Sequence, residues 1–277
     1  MSKKIEFKHI FVEKVPEGNY AVIYLNRPER LNAIQTLTSK EIYSALEPFE
    51  YDRKVRCVVI RGTKDFTKKP AFSAGGDMGG ERPAKGFKNT PVHQAHDRYK
   101  MQVYYDLIEE FNKPLIAAVD GYAFGAGCEL TLCCDLVIAS KRSLFGFPEI
   151  TRGMFPGAGG TQRMVRRIGL ARATQMIYYG EHYSAEKMQE WGHVDYIAEE
   201  GEDFEKLVHK RASMLGNAPT TSLYVVKKCL KFGTQVPLKI GLIFEQLGFG
   251  VNSASKDFME GIQAFMQKRE TKFTGGI

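Results

Sequence analysis

Residues 113–140, KPLIAAVDGYAFGAGCELTLCCDLVIAS, contain two apolar runs on either side of a glycine-rich turn and a short apolar segment. The runs KPLIAAVDGYA and DLVIAS are continuously apolar, which is typical of strands covered on both faces. The segment between them carries one acid, Glu129, two residues after a glycine. We expect Glu129 in the first turns of a mostly buried helix, where the helix dipole favours an anion. The stretch therefore predicts strand, helix and strand around a buried carboxylate.

Strand and helix signals also precede this stretch. The runs HIFVEKV and NYAVIYLN are separated by PEG, which predicts a β-hairpin, and VRCVVIRG predicts a third strand. Between them, TLTSKEIYSALEPFEYD has the period of an amphipathic helix, and the cap-type residues Thr36 and Thr38 indicate where it starts. The expected apolar face comprises Leu37, Ile42, Leu46 and Phe49.

Strand signals fade after residue 158. The helix-patterned segments that follow are TQRMVRRIGLARATQMIYY, SAEKMQEWG, DFEKLVHKRASML, TSLYVVKKCLKFG, LKIGLIFEQLGFGV and KDFMEGIQAFMQKRE. Alternating strands and helices followed by a helical final third predict an α/β core with a helical appendage. We expect the boundary near residue 200, which gives a core over residues 1–200 and a helical region over residues 201–277.

Composition and charge limit the possible classes of function. The chain has 277 residues, 43% of them apolar, which is enough for a large core, and it has no run of 18 apolar residues that would predict a membrane span. The N-terminal residues are charged and lack a signal-peptide core, so we expect a cytoplasmic protein. The five cysteines lack paired C-x-x-C spacing, which indicates reduced thiols and no zinc site.

The net charge of +7 would suit nucleic acid, an anionic membrane or a phosphate-bearing small molecule. The lysines are scattered, however, as is typical of a solvated surface. The sequence has no RNP-type aromatic motif and no arginine-rich tract, which leaves an RNA-binding module as a remote alternative. Neither a nucleic acid nor a membrane is therefore expected as a partner.

Three glycine-rich turns lie where helices are expected to begin, namely SAGGD, FGAG and FPGAGG. GYAFGAG lacks the G-x-G-x-x-G spacing of a dinucleotide-binding turn, and PGAGGT lacks the lysine of a phosphate-binding loop. Glycines in such turns allow main-chain N–H groups to approach a ligand and stabilise developing negative charge. Any one of these motifs alone would indicate only a tight turn.

A second acid, Glu149 in FGFPEI, follows Glu129 by twenty residues and is flanked by aromatic residues, a proline and an isoleucine. A strand that returns beside its preceding helix could bring both carboxylates to one pocket. Two half-buried carboxylates that are close together hold their protons differently, so they can serve as an acid and a base around one reacting centre. A single glutamate would instead suggest a helix cap or a buried ion pair. The pair, beside glycine turns, favours catalysis.

The motifs YLNRPERLNAI, AFSAGGDM, KPLIAAVDGYAFGAGCELTLCCDLVIA, FGFPEITRGMFPGAGGTQRMVRRIG and EGIQAFMQKRETKF resemble the enoyl-CoA hydratase branch of the crotonase superfamily. The resemblance is collinear over residues 8–273. It implies an α/β fold, with a crotonase-like spiral core of repeated ββα turns and a C-terminal helical trimerisation region. The implied assembly is a homotrimer or a hexamer built as a dimer of trimers.

The resemblance also implies roles for individual residues. Glu129 would activate water and Glu149 would protonate C2, while the N–H groups of Gly76 and Ala126 would form the oxyanion hole and that of Gly157 would hold the attacking water. The residues implied for the coenzyme A channel are Arg30, Leu31, Ala74, Gly75, Asp77 and Met78, together with Lys268 as a partner of the CoA phosphates, from the same or a neighbouring subunit.

The activity that the resemblance implies is the reversible hydration of a short-chain 2-enoyl-CoA to a 3-hydroxyacyl-CoA. Neither metal nor cofactor is expected, since coenzyme A is part of the substrate. A crotonase-type enoyl-CoA isomerase, which tends to keep one acid, and an acyl-CoA hydrolase stay open as alternatives. Two departures concern the oxyanion hole: AGGD stands where many hydratases have AGAD, and Ala126 stands where glycine is common. Both positions still supply an N–H group.

The segment 78–99, MGGERPAKGFKNTPVHQAHDRY, is longer than expected for a typical short-chain hydratase. We expect it to form a loop over the acyl pocket, which leaves chain length and ring-bearing substrates open. His93 and His96 have a spacing that could suggest a metal site, but no third ligand is near in sequence, which favours a loop surface.

Overall fold

The computed structural model describes residues 6–64, 69–79 and 90–275. Its strands are β1 (Ile10–Val15), β2 (Tyr20–Leu25), β3 (Cys57–Gly62), β4 (Ala71–Ser73), β5 (Leu115–Val119), β6 (Tyr122–Phe124), β7 (Leu136–Ser140), β8 (Leu144–Gly146), β9 (His182–Ser184) and β10 (Tyr196–Ala198). Its helices are α1 (Thr36–Leu46), α2 (Pro91–Glu109), α3 (Ala126–Leu132), α4 (Gly160–Ile168), α5 (Leu170–Tyr179), α6 (Ala185–Glu190), α7 (Glu202–Gly216), α8 (Thr220–Gly233), α9 (Leu238–Ser253) and α10 (Lys256–Met266).

The strands form two sheets, and the chain alternates between them. The larger sheet has the order β1-β2-β3-β5-β7-β10, and the smaller has the order β4-β6-β8-β9. In three successive passes, a strand of the large sheet is followed by one of the small sheet and then by a helix: β3-β4-α2, β5-β6-α3 and β7-β8-α4. The repeated ββα turns are therefore confirmed, as is the β1-β2 hairpin, which is antiparallel. The prediction for residues 113–140 is confirmed for the helix and the second strand, but the first apolar run forms two strands, β5 and β6, that belong to different sheets.

The large sheet is covered on both faces, as its continuously apolar strands predicted. Alternate residues of β2 belong to different apolar clusters, with Ala21, Ile23 and Leu25 on one face and Tyr20, Val22 and Tyr24 on the other. The second cluster is completed by Phe204, Val208 and Ala212 from α7. The expected boundary near residue 200 falls between β10 and α7 and stays a prediction.

Helix α1 is present, but two details of its prediction were wrong. The helix begins at Thr36 with Gln35 as its N-cap, and the hydroxyl of Thr38 accepts a hydrogen bond from the N–H of Gln35 at 3.1 Å. Thr36 is therefore the first helical residue and not a cap. Leu37 is 39% exposed and does not share the buried face of Ile42 and Leu46.

The second half of the chain departs from the prediction in two ways. The segment expected as one helix after residue 158 is divided into α4 and α5, because Gly169 has a φ of +85° that no helical residue adopts. The short strands β9 and β10 were not predicted. Their three residues each carry too little pattern, and pairing with β8 and β7 gives them their extended form.

The segment 78–99 is not simply a loop, since residues 91–99 form the first turns of α2. Thr90 caps this helix by accepting the N–H of His93, and Pro91 occupies its first position. Residues 80–89 of the expected loop lie outside the described residues. None of the helices in the described part of the chain is long and apolar enough to cross a membrane.

Candidate active site

The small sheet brings three functional segments to one edge. Strands β4, β6 and β8 are parallel neighbours, so their carboxyl ends lie side by side. The segment after β4 contains Gly75 and Gly76, the segment after β6 contains Gly125 and Ala126, and the segment after β8 contains Glu149. The order of strands in this sheet therefore explains how residues that are distant in sequence meet.

Glycines allow these segments to approach one another closely. A Cβ atom on Gly125, which has a φ of +48°, would lie 2.8 Å from Oε1 of Glu149 and 3.6 Å from Cα of Gly75. A Cβ atom on Gly75 would lie 3.2 Å from the carbonyl oxygen of Phe124. Gly125 thus separates the Gly75 turn from the Glu149 carboxyl, and the site has no room for a side chain at this position.

Two main-chain N–H groups at this edge have no partner among the described residues. Ala126 is the first residue of α3, so its N–H group lies before the first intrahelical hydrogen bond. The N–H groups on either side of Gly76 are used, since Gly75 donates to Oγ of Ser73 at 3.2 Å and Asp77 donates to the carbonyl oxygen of Ile34 at 2.9 Å. No hydrogen bond in the described chain uses the N–H of Gly76.

Glu129 lies one turn into α3 and is only 3% exposed. Its Oε1 accepts hydrogen bonds from the N–H groups of Ala158 at 2.7 Å and Gly160 at 2.8 Å. Burial raises the pKa of Glu129 above its ordinary value, and these two hydrogen bonds oppose the rise because they stabilise the ionised form. Neither bond uses Oε2, so this oxygen stays available to a bound water.

Glu149 lies on the 3₁₀ turn Pro148–Arg152 and is half-buried. Its Oε2 is buried and has no hydrogen-bond partner among the residues that the structure describes. Burial, with a smaller contribution from the charge of Glu129, raises the pKa of Glu149 to about 7. The two acids are therefore close enough to interact electrostatically and differ in how their charged forms are stabilised.

The Glu149→Gln variant should be more stable than the wild type at alkaline pH. The folded-state pKa of Glu149 is raised from 4.5 to about 7, so wild-type stability declines as the pH rises through this interval. Glutamine resembles the protonated acid and has no proton to lose. At about 1.4 kcal/mol per pKa unit, the advantage of the variant in unfolding free energy should grow by about 2 kcal/mol from about pH 5 to about pH 8. Urea unfolding at both pH values measures this difference in unfolding free energy. An equal difference at the two pH values would contradict a raised pKa of Glu149.

Helix α2 supports the turn that holds Glu129. Nε2 of Gln102 donates to the carbonyl oxygen of Gly157 at 3.0 Å, and Nη1 of Arg163 donates to that of Ala158 at 3.1 Å. Arg163 in turn forms ion pairs with Asp106 and Glu109 of α2, at 2.5 and 2.7 Å. The peptide unit that joins Gly157 to Ala158 therefore accepts a hydrogen bond from Gln102 and donates one to Glu129.

Most of the residues implied for the coenzyme A channel lie together. The segment with Arg30 and Leu31 pairs with the segment that follows β4, because the N–H of Ala74 donates to Leu31. The carboxylate of Asp77 is not free, since Arg27 binds it at 2.7 Å. The side chain of Met78 is 72% exposed.

Lys268 lies apart from this group. It follows the end of α10, which packs against α8 and α9, and its side chain is exposed. In the described chain, no hydrogen bond or ion pair connects its side chain with the segments around Glu129. His93 and His96 are exposed on α2. Among the described residues, no group of His, Cys, Asp or Glu side chains is arranged to hold a metal ion.

Sequence reasoning did not identify the residues of α2 that border the site. These residues are Arg98, Gln102 and Tyr105, and the hydroxyl of Tyr105 donates to the carbonyl oxygen of Ala126 at 2.8 Å. The pattern of an amphipathic helix does not distinguish a polar residue that faces solvent from one that faces a neighbouring turn. Only the approach of α2 to the Gly157 turn reveals their role.

The chain is similar to known proteins over most of its length. Residues 16–276 match the enoyl-CoA hydratase/isomerase family. The chain is 36% identical to a 2,3-dehydroadipyl-CoA hydratase of Escherichia coli, over 92% of this chain and 94% of that protein. It is 32% identical to a short-chain-enoyl-CoA hydratase of Clostridium acetobutylicum, over 96% of this chain and 97% of that protein. A crystal structure of an enoyl-CoA hydratase from Bacillus anthracis superposes with a TM-score of 0.86 at 30% identity, over 97% of this chain and all of that one. The chain belongs to the enoyl-CoA hydratase/isomerase family, and its fold is the crotonase fold.

Proposed function

We propose that this protein is an enzyme that reversibly hydrates short-chain 2-enoyl-CoA thioesters to 3-hydroxyacyl-CoA. The observation that carries the proposal is the meeting of two acids, the buried Glu129 and the half-buried Glu149, with the free N–H groups of Gly76 and Ala126 at one sheet edge. A hydration needs an acid, a base and a stabilised oxyanion, and these groups supply all three.

The roles of the two acids follow from their surroundings. Glu129 accepts two main-chain N–H bonds, which favour its ionised form, so it serves as the base that removes a proton from water. Glu149 has an unpaired buried oxygen, which favours its protonated form, so it serves as the acid. The N–H of Gly157 would orient the water beside Glu129.

Water adds its oxygen to C3 while Glu129 takes one of its protons. The electron pair of the C2–C3 double bond moves towards the thioester carbonyl, and the resulting enolate oxygen accepts hydrogen bonds from Gly76 and Ala126. Glu149 then delivers a proton to C2. Dehydration reverses each step, so Glu149 removes the C2 proton and Glu129 protonates the departing hydroxyl. These protein groups suffice without metal or cofactor in the proposed reaction.

Crotonyl-CoA tests this proposal directly. Hydration removes the absorbance of the conjugated thioester and adds the mass of one water to the acyl group. An isomerase acting on a 3-enoyl-CoA would create that absorbance without a change of mass, and a hydrolase would release free CoA thiol. Loss of the thioester without a hydrated product would overturn the proposed activity.

The rate of hydration should fall as the pH rises through about 7. The alkaline limb of kcat/KM reports loss of the proton that Glu149 delivers, and its pKa is raised to about 7. The acidic limb should lie above the ordinary range of a glutamate because the pKa of Glu129 is also raised. Because the two acids interact, the apparent pKa values of both limbs belong to the pair and not to one residue alone. A profile with crotonyl-CoA that stays flat from about pH 6 to 9 would contradict a protonated Glu149.

We also propose that coenzyme A lies along the paired segments that contain Arg30 and Ala74. The main chain between Ala74 and Met78 would contact it, since the Asp77 carboxylate is already bound by Arg27. Location in the cytoplasm stays a prediction.

Assembly into a homotrimer or hexamer is proposed as well. It is supported by an apolar groove of about 370 Å³ between α8 and α9, whose lining includes Phe232, Phe244 and Leu247. Exposed apolar surface of this kind usually marks a protein interface. In such an assembly, Lys268 could reach the coenzyme A of a neighbouring chain.

A further inference from the structure

Arg98 of α2 covers the turn at which the attacking water is proposed to bind. A Cβ atom on Gly157 would lie 3.2 Å from Cδ of Arg98 and 3.7 Å from its Nε. The Arg98 side chain can therefore pack against this turn because Gly157 has no side chain. Gln102, one turn further along α2, binds the carbonyl oxygen of Gly157 and fixes the helix at this point.

The positive charge of Arg98 acts on both acids of the site. It lowers the pKa of Glu129 and the pKa of Glu149, but burial raises each of these values by more. The guanidinium group is thus close enough to the reacting centre to affect it electrostatically. The two N–H donors of Glu129 favour its ionised form more strongly than Arg98 does.

The acidic residues of α2 are paired with other cations. Asp97 faces Lys100 at 3.7 Å, and Asp106 binds Arg163. Within the described part of the chain, no carboxylate forms an ion pair with Arg98. The guanidinium therefore has its hydrogen-bond donors available beside the Gly157 turn.

The position of Arg98 relative to the substrate follows from the proposed reaction. The water beside Gly157 adds to C3, so the carbons beyond C3 leave the centre next to the same turn. A saturated tail here would lie against a guanidinium group and gain nothing from its charge. A carboxylate at the end of the tail would accept two parallel hydrogen bonds from Arg98, and the cation would offset its repulsion by Glu129 and Glu149.

We propose that Arg98 is a specificity-determining residue that binds the distal carboxylate of an ω-carboxylated enoyl-CoA. The inference rests on the proposed hydratase function and names the substrate class of the same site. A charge-assisted hydrogen bond to such a group contributes about 1.5 to 3 kcal/mol, which corresponds to about a 10- to 150-fold preference.

The test compares two substrates of equal chain length, hex-2-enedioyl-CoA and hex-2-enoyl-CoA. In Arg98→Gln, the ratio of kcat/KM for the first to that for the second should fall by about 10- to 150-fold. Arg98→Lys should give an intermediate ratio, because an ammonium group keeps the charge and loses the paired hydrogen bonds. Lys100→Gln is the matched control, since it removes one exposed positive charge from the same helix, and its ratio should stay within about twofold of the wild type.

A substrate variant tests the same contact without any mutation. Methylation of the distal carboxylate should reduce kcat/KM of the wild type to the level found with hex-2-enoyl-CoA. If Arg98→Gln lowers kcat/KM equally for both substrates, Arg98 does not bind the distal carboxylate. The same conclusion follows if the wild type hydrates the methyl ester with the same kcat/KM as the acid. If the wild type hydrates neither thioester, the proposed hydratase function itself fails, which distinguishes the two conclusions.

Discussion

Glu129→Gln should lower kcat for hydration of crotonyl-CoA by about 10²- to 10⁴-fold, with little change in affinity for the CoA thioester. The amide oxygen of glutamine can still accept the N–H groups of Ala158 and Gly160, so the turn keeps its place. The amide nitrogen, however, cannot remove a proton from water. Stopped-flow or steady-state decay of the conjugated thioester absorbance measures kcat, and equilibrium binding of a saturated acyl-CoA measures the affinity.

Glu149→Gln should cause a loss of similar size for a different reason. Glutamine preserves the shape of the protonated acid but has no acidic proton to deliver to C2. A fall in kcat without a fall in affinity would agree with the role of both residues in the transition state. Turnover at the wild-type rate in either variant would rule out the paired mechanism.

Glu41 of α1 provides a matched control for these substitutions. It is also buried, and its carboxylate also accepts two main-chain N–H bonds, from Lys8 at 2.9 Å and His9 at 2.8 Å. These two bonds end on different oxygens, so Glu41→Gln keeps only one of them and disturbs the main chain at least as much as Glu129→Gln, without removing an acid from the site. Its kcat per folded protein should stay near the wild-type value, while a large loss would show that buried amides impair turnover in general.

The parts of the fold that the sequence predicted are those with strong local patterns. The two continuously apolar runs around Glu129 and the hairpin joined by PEG are such cases. The division of the helix at Gly169 was missed because the flanking residues keep a helical pattern on both sides. The strands β9 and β10 depend on pairing with strands that are distant in sequence, and such pairing leaves little trace in three residues.

The candidate site was predictable to the extent that family motifs mark it. The motifs around Glu129 and Glu149 named both acids, and the parallel pairing of β6 with β8 supplies the physical reason why they meet. The support from α2 could not be predicted, because Gln102 contacts a turn 55 residues away in sequence. A glutamine on a helix surface gives no sign of which distant carbonyl it will bind.

Ala126→Pro should lower kcat by about 10²- to 10³-fold, the usual cost of removing one oxyanion donor. Proline has no N–H group, and the first position of a helix is where it is best tolerated. Ala126 occupies this position in α3, so the substitution removes the donor with little disturbance of the helix. The carbonyl oxygen of residue 126 would still accept the hydroxyl of Tyr105.

Two further variants separate loss of the donor from loss of the fold. Leu170→Pro places proline at the first position of α5, again directly after a glycine, at a side chain that is 69% exposed. Its kcat and circular dichroism should match the wild type, and Ala126→Gly, which keeps the N–H group, should retain most of the activity. If Ala126→Pro has a native spectrum and normal turnover, the enolate oxygen is held by other groups. If its turnover collapses while its spectrum and thermal transition stay native, the loss belongs to the missing N–H group, because the chain around it has not moved.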